Sequence, residues 1–198
     1  MRITHYTLGL SPKRAGGLNR YATDLMLAQS KEHEVSVLLP GSWRPWRRKC
    51  SISYKGTERH LEKFHLQNAL PLPLLYGIKT PKNFVERKID DKSFERFYEK
   101  TRPDVLHLHT LMGMPEQALQ FFKEKGVRIV YTSHDYFGLC PKVNLINQNG
   151  FLCEGPTPER CAVCNEKAPS TSFLRMRNSE MAFKIRDFVR WLKNTLLY

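Results

Sequence analysis

Hydrophobic and polar positions follow two different periods along the first forty residues. Residues 2–6 mix apolar and polar side chains and residues 34–39 are mostly apolar, and both segments are predicted to be strands, the second ending at Pro40. Residues 18–30 between them carry apolar side chains three and four positions apart, which predicts a helix with one buried face. This order predicts a βαβ unit at the start of the chain. The predicted buried face consists of Leu18, Tyr21, Ala22, Leu25 and Ala28.

The alternation of apolar runs and helical periods continues as far as residue 132. Because strands separated by helices form parallel sheets, we expect an α/β, Rossmann-like fold with a parallel sheet and helices on both faces. Residues 41–80 show neither period clearly and are predicted to be irregular apart from one short strand. The further predicted elements are strands at residues 51–54, 105–109 and 127–132 and helices at residues 83–100 and 115–125.

Two glycines, Gly16 and Gly17, stand between the first predicted strand and its helix. The free N–H groups and the positive dipole end of a helix N-terminus favour an anion, and glycine lets a ligand approach the backbone closely. Arg20 adds positive charge one turn later. The predicted guest is a phosphate, while an ordinary tight turn is the alternative interpretation. The spacing differs from the glycine fingerprint of dinucleotide-binding proteins.

Polar residues also end the later strands of the predicted sheet. His109 closes one strand, and His134 and Asp135 follow the next. Ligands of such sheets bind outside the carboxyl ends of the strands, so we expect these three side chains to lie near the glycine turn. A buried structural role is the alternative for each histidine, and it is the one expected for His107.

The 198 residues suffice for one domain, and 32 basic against 19 acidic residues give a formal net charge of +13. Such a charge predicts a negatively charged partner. Trp43 and Trp46 alternate with cations, a combination that suits an anionic membrane surface. Nucleic acid and a solvated loop without a partner are the alternatives, but no nucleic-acid module is recognisable, which makes nucleic acid the less favoured partner. The cations of this cluster are Arg44, Arg47, Arg48 and Lys49.

Residues 172–198 predict a basic amphipathic helix, which suits a membrane surface or ordinary domain packing. The chain begins without the apolar core of a signal peptide, and its most apolar run, residues 69–76, is broken by two prolines. We therefore expect a cytoplasmic protein at the inner face of a membrane. The helix would combine an apolar stripe of Met181, Ile185, Phe188, Leu192 and Leu196 with Lys184, Arg186, Arg190 and Lys193.

Four cysteines, Cys140, Cys153, Cys161 and Cys164, lie in a loop at residues 137–170 that has few apolar residues for a core of its own. A Cys-x-x-Cys pair with two further thiolates can close a tetrahedral site, so we predict a structural zinc. Free thiols and an iron–sulfur cluster are the alternatives. Cys50 stands apart and is predicted to be a surface thiol.

Several of these segments together resemble the retaining glycosyltransferases of family 4, which have the two-domain GT-B fold. The cysteines resemble those of a cysteine-bearing branch of that family. Most of the chain takes part in the resemblance, and the order of the motifs makes it specific. The matching segments are Gly16-Gly17-Leu18-Asn19-Arg20-Tyr21, Arg102-Pro103-Asp104-Val105-Leu106-His107-Leu108-His109 and Val130-Tyr131-Thr132-Ser133-His134-Asp135-Tyr136.

The resemblance implies an N-terminal, acceptor-side domain, because the family binds its nucleotide-sugar donor mainly on a C-terminal domain that residues 1–198 lack. It implies that Gly16, Gly17 and Arg20 meet the donor diphosphate, that His134 is catalytic, and that His109 and Asp135 bind substrate, without a catalytic metal. The expected reaction moves a sugar to a glycan or lipid-linked acceptor in surface polysaccharide synthesis. A non-catalytic partner subunit, an inactive fragment needing a separate donor-domain chain, and a metal-clipped nucleic-acid-binding domain are the alternatives.

Overall fold

The computed structural model describes residues 1–179 and residues 181, 182, 185, 188, 189, 191, 192 and 195. Up to residue 179 the chain forms six strands and five α-helices. The strands are β1 (Arg2–Tyr6), β2 (Glu34–Pro40), β3 (Ser51–Glu58), β4 (Leu61–Gln67), β5 (Val105–Leu108) and β6 (Arg128–Tyr131). The helices are α1 (Gly17–Gln29), α2 (Asp91–Thr101), α3 (Glu116–Glu124), α4 (Pro158–Cys164) and α5 (Thr171–Arg177).

All six strands form one sheet in the order β3-β4-β2-β1-β5-β6. Neighbours from β4 to β6 run parallel, and β3 alone is antiparallel to its neighbour β4. The α/β, Rossmann-like class is therefore confirmed. The predicted parallel sheet needs one correction, at the β3 edge.

The β3–β4 hairpin corrects the interpretation of residues 41–80 as mostly irregular. Its turn consists of Arg59 and His60, whose φ angles are 53° and 66°. A two-residue hairpin turn with positive φ normally carries glycine or asparagine, and neither residue is present here. β4 also mixes charged and apolar side chains, so the sequence showed neither the strand nor its turn.

The helix predicted at residues 83–100 begins later, at Asp91. The backbone before it turns toward β3 instead: the Cys50 N–H donates to the Lys88 carbonyl at 2.8 Å, and the Asp90 N–H donates to the Cys50 carbonyl at 2.7 Å. Cys50 is consequently buried, which corrects its prediction as a surface thiol, and burial raises its pKa to about 12. Arg102 ends the helix in the left-handed region, directly before the predicted break at Pro103.

Helices cover both faces of the sheet, as predicted. Successive residues of a strand point to opposite faces, so the core divides into two clusters. On one face α2 and α3 supply Phe94, Phe97, Phe121 and Phe122, which pack on Tyr6, Leu38, Phe64, Leu106 and Leu108. On the other face α1 supplies Ala22 and Met26, which pack on Val35, Val37, Leu39 and Leu61.

The buried face of α1 differs from the predicted one. Tyr21 and Ala28 are exposed, whereas the polar residues Asn19 and Thr23 are buried. Thr23 Oγ1 accepts the Ser11 N–H at 3.0 Å and donates to the Asn19 carbonyl at 2.6 Å. A pattern of apolar residues misses this face, because its polar side chains are buried with their hydrogen bonds satisfied.

Candidate active site

The polar residues predicted at the carboxyl ends of the strands do meet. His109 follows β5, His134 follows β6, and His109 Nδ1 lies 3.3 Å from His134 Nε2. Tyr21 reaches them from the second turn of α1, with its ring centroid 4.9 Å from that of His134 in an edge-on arrangement. The edge of the sheet and the start of α1 therefore form one site.

A further histidine, His5, was missed by the sequence analysis. It lies in the middle of β1, beside His107 of β5 in the parallel register, and is fully buried. Its Nδ1 lies 3.0 Å from His109 Nε2, and its Nε2 lies 2.8 Å from Oε1 of Gln29, the last residue of α1. The available signal was weak: a single histidine inside an apolar strand, next in the sheet to a His-x-His strand.

His5, His109 and His134 form a histidine row in which each ring contacts the next, and burial keeps this row neutral. It lowers the pKa of His5 to about 4, with His107 adding to the effect, and the pKa of His109 to about 3, with the other three histidines adding to it. Partial burial also lowers the pKa of His134, against the charge of Asp135. Near pH 7 these imidazoles are therefore hydrogen-bonding groups rather than cations.

The ligand nitrogens of His5, His107 and His109 lie within 4.8 Å of one another, the one trio in the described part of the chain that is close enough for a metal ion. The rings are engaged differently, however. His5 and His109 share a direct hydrogen bond, and His107 Nε2 lies 2.7 Å from Thr132 Oγ1. The rings of His107 and His109 stack 4.4 Å apart, so in this structure the three imidazoles are engaged with one another and with Thr132.

The glycine turn opens onto solvent beside this row. Gly16 precedes α1 with a φ of 122°, a conformation that favours glycine, and no side chain caps the helix. A Cβ on Gly17 would meet no atom within 4 Å. Arg20 is exposed and lies 4.0 Å from Asp24, a weak surface pair. The predicted phosphate position is thus accessible, with its cation free to move.

Asp135 serves partly in local structure. Its Oδ1 accepts the Phe137 N–H at 2.9 Å, which stabilises the turn after β6. His109 lies below His134 and is fully buried, with His5 on its other nitrogen. Of the predicted catalytic and substrate-binding side chains, the half-buried His134 and Asp135 are therefore the ones near the surface.

The fold and this site are accompanied by a sequence match. The family model for Glycosyltransferase Family 4 matches residues 15–192. The chain belongs to glycosyltransferase family 4. This confirms the resemblance and assigns the chain to the N-terminal domain of such an enzyme. The chain matches no curated protein and no solved structure.

The four cysteines of this family 4 domain line one cavity of about 650 Å³. Cys161 and Cys164 lie one turn apart on α4, and burial raises the pKa of Cys161 while Cys140, Cys153 and Cys164 add to the effect. Asn165 ties this loop to the domain, because its Oδ1 accepts the Ile78 N–H at 2.9 Å. In the described residues no three sulfurs lie within 4.8 Å of one another, so the thiols surround a space wider than a bound ion.

The tryptophan–arginine cluster of the family 4 domain is an ordered loop. Asn68, which is buried, accepts the Arg44 N–H at 2.6 Å through its Oδ1. The guanidinium of Arg175 lies 4.9 Å from the centroid of the Trp43 ring. Trp46 is 76% exposed, so one indole is held by α5 and the other is free for a partner.

The predicted C-terminal apolar stripe is exposed where the structure describes it. Met181, Ile185 and Phe188 are helical and exposed by 71%, 55% and 58%, and Leu192 is half-buried. In the described part of the chain no helix is long and apolar enough to cross a bilayer. Leu196 and the cations Lys184, Arg186, Arg190 and Lys193 lie outside the described residues.

Proposed function

We propose that this domain is the acceptor-binding half of a retaining glycosyltransferase, which transfers a hexose-type sugar from a nucleotide sugar to a glycan or lipid-linked acceptor in surface polysaccharide synthesis. The observation that supports it most directly is the contact of His134 with both His109 and Tyr21, at the open N-terminus of α1. Family membership supports the reaction class, and the meeting of these side chains at the carboxyl edge of the sheet supports the proposed position.

In this proposal the donor diphosphate meets the amides of Gly16 and Gly17, and Arg20 contributes a movable cation. Negative charge develops on the leaving diphosphate, and fixed N–H dipoles aimed at that charge stabilise it most in the transition state. His134 hydrogen-bonds a sugar hydroxyl beside it. Asp135 adds its Oδ2, which has no hydrogen-bond partner in the described part of the structure.

Titration with UDP and GDP, followed by NMR at low salt, tests the phosphate position. Arg20→Ala and Gly17→Val should each weaken binding several-fold, the first by loss of charge and the second because a branched side chain bars close approach. Arg96→Ala, an exposed arginine on α2 at the opposite face, is the matched control and should bind like the native chain. Equal weakening by all three variants would contradict the proposed position.

A transfer assay with UDP- and GDP-sugars tests the reaction itself, with a donor domain supplied as a separate chain where one is encoded. His134→Ala should lower kcat more than it raises KM, because a group that acts mainly in the transition state affects the catalytic rate. Glycan binding without transfer would instead indicate a non-catalytic partner subunit. Strong, salt-dependent oligonucleotide binding would indicate the nucleic-acid alternative.

A structural zinc on the four cysteines belongs to the same proposal. Four thiolates fit zinc chemistry, and they line one cavity in a loop with little core of its own. Because the sulfurs surround a space wider than a bound ion, zinc binding in this proposal draws the four thiolates closer together. The purified protein should hold about one equivalent of zinc. The double variant Cys161→Ser, Cys164→Ser should lose it, whereas Cys50→Ala, which removes a buried thiol elsewhere, should keep it. Metal-free protein of unchanged thermal stability would contradict this assignment.

An anionic membrane is the proposed partner surface. The exposed Trp46 and the apolar residues near the C-terminus support it, together with the net charge of +13. Vesicles of phosphatidylcholine with phosphatidylglycerol should sediment the protein, less so at high salt. The double variant Trp46→Ala, Arg48→Ala should lower the bound fraction, and Arg96→Ala should lower it much less. Vesicle binding that is unchanged by salt and by the double variant would contradict an anionic membrane as the partner.

A further inference from the structure

The inner end of the histidine row contacts Gln29, and this contact fixes which nitrogen of each ring donates and which accepts. Oε1 of Gln29 accepts a hydrogen bond from His5 Nε2 at 2.8 Å. A neutral imidazole carries one N–H and one lone pair. If His5 donates from Nε2, its Nδ1 must therefore accept.

This constraint passes from ring to ring. His5 Nδ1 accepts from His109 Nε2 at 3.0 Å, so the lone pair of His109 lies on Nδ1. His109 Nδ1 in turn accepts from His134 Nε2 at 3.3 Å. The lone pair of His134 consequently lies on Nδ1, an atom with no hydrogen-bond partner in the described part of the structure.

We propose that Gln29 and His5 are positioning residues, which act through His109 to hold His134 in one tautomer: the proton on Nε2 and the lone pair of Nδ1 available to a donating group. The low pKa values of His5 and His109 agree with this geometry, because a protonated ring would break the order of donors and acceptors. The ligand class rests on the proposed function, and the tautomer does not.

The consequence for binding is a preference in polarity. A lone pair on His134 Nδ1 accepts from a hydroxyl group and repels a carbonyl or ether oxygen. A sugar hydroxyl that donates to this nitrogen keeps its own oxygen lone pairs free for other contacts. A row of buried histidines thus sets which kind of sugar atom can lie beside His134.

Nitrogen NMR of the uniformly labelled 198-residue chain at pH 7 reads the tautomer directly. In the native protein, His134 should show a protonated Nε2 and an unprotonated Nδ1. Gln29→Met keeps the length of the side chain but removes the acceptor, and should shift both His134 nitrogens toward intermediate positions. Gln29→Lys offers only donors, and should exchange the two assignments. His107, Tyr21 and Asp135, which also face His134, remain unchanged in each variant.

Gln120→Met is the matched control, because Gln120 is exposed on α3 at the opposite face of the sheet. It should leave the His134 resonances in place, and circular dichroism with thermal unfolding checks that all variants fold. A native His134 protonated at Nδ1 would overturn the inference. So would folded Gln29 variants whose His134 nitrogens match those of the native chain.

The experiment separates this inference from the proposed function, since it needs no donor, acceptor or turnover. A chain with the expected tautomers that shows no transfer even when a donor domain is supplied refutes the transferase proposal alone. In an active enzyme, Gln29→Lys should lower the transfer rate several-fold, while His134 stays in place. Full activity with reversed tautomers would refute the preference for a hydroxyl donor.

Discussion

The two faces of the sheet are buried by different chemistry. On the α2 and α3 side, phenylalanines pack edge to face: the Phe64 and Phe97 rings lie 4.8 Å apart at 87°, and those of Phe97 and Phe122 lie 5.9 Å apart at 85°. On the α1 side, beyond a small aliphatic cluster, the strands present His5, His107 and His109. The first face is held by apolar burial, and the second depends on directional hydrogen bonds.

The difference has a physical meaning. Apolar burial stabilises a fold without regard to pH or tautomer. A buried polar row gains little net free energy even when every partner is present, and it costs several kcal/mol when a partner is missing, on the order of 2–7 kcal/mol per group. The α1 face is therefore less stabilising than an apolar face, but it holds a fixed set of hydrogen-bond donors and acceptors. The candidate site lies at the outer end of this set.

Phe122→Ala should produce the largest effect, because Phe122 is fully buried among the aromatic rings of α2 and α3. We expect a loss of about 3–5 kcal/mol in the free energy of unfolding, from lost burial plus the remaining cavity. Urea denaturation at pH 7 measures it. Tyr21→Ala, which truncates an exposed ring on the α1 side, should cost less than about 1 kcal/mol. Comparable losses in the two variants would break the comparison between the faces.

Acid should destabilise the α1 face selectively. The folded-state pKa values of His5 and His109 lie near 4 and 3, below that of an unfolded histidine. Below about pH 6.5 the histidines of the unfolded chain bind protons that His5 and His109 do not bind in the folded chain. The free energy of unfolding therefore decreases as the pH falls toward the folded-state pKa values. The slope is about 1.4 kcal/mol per pH unit for each histidine.

Denaturant unfolding from pH 7 to pH 4.5 tests this, with His5→Gln for comparison. In the variant, the free energy of unfolding should change less steeply with pH, by about 1.4 kcal/mol per pH unit, because one histidine fewer takes up a proton on unfolding. Glu58, whose pKa is held near 2 by hydrogen bonds from Lys13 and Lys63, contributes in the same direction from about pH 5 downward, and it is common to both proteins. The cysteine loop is common to both proteins and cancels in the difference. Equal slopes in the two proteins would contradict a neutral, buried His5.

A polar pair on the phenylalanine side sharpens the comparison. Thr4 Oγ1 and Ser36 Oγ lie 2.8 Å apart and are buried. Thr4→Val should cost about 1–3 kcal/mol, because it leaves the Ser36 hydroxyl without its partner. Thr4→Val with Ser36→Ala should cost clearly less than the sum of the single variants, which a double-mutant cycle measures. Additive losses would mean that the pair contributes no coupling.

The sequence predicted the features that repeat along the chain and missed single residues whose placement follows no repeating pattern. Apolar periods placed five of the six strands and the helices on both faces, since burial imposes those periods. The Arg59–His60 turn escaped, because its conformation is normally marked by glycine or asparagine. The roles of His5 and Gln29 were missed for another reason. Their contacts arise because β1 lies beside β5 and α1 ends over β1, an arrangement that no local sequence pattern encodes.

Gly17→Ala should have the smallest effect on stability. Gly17 is the first residue of α1, and its Cβ would enter open space, so we expect a change within about 0.5 kcal/mol. Gly16→Ala, one residue earlier, should cost more, about 1–3 kcal/mol, because a φ of 122° strains any residue with a Cβ. Thermal unfolding of both variants, with UDP binding measured alongside, separates packing from ligand access. Equal destabilisation by Gly17→Ala and Gly16→Ala would mean that Gly17 packs against other parts of the domain. The start of α1 would then be structural, and the α1 face would no longer differ from the phenylalanine face at this point.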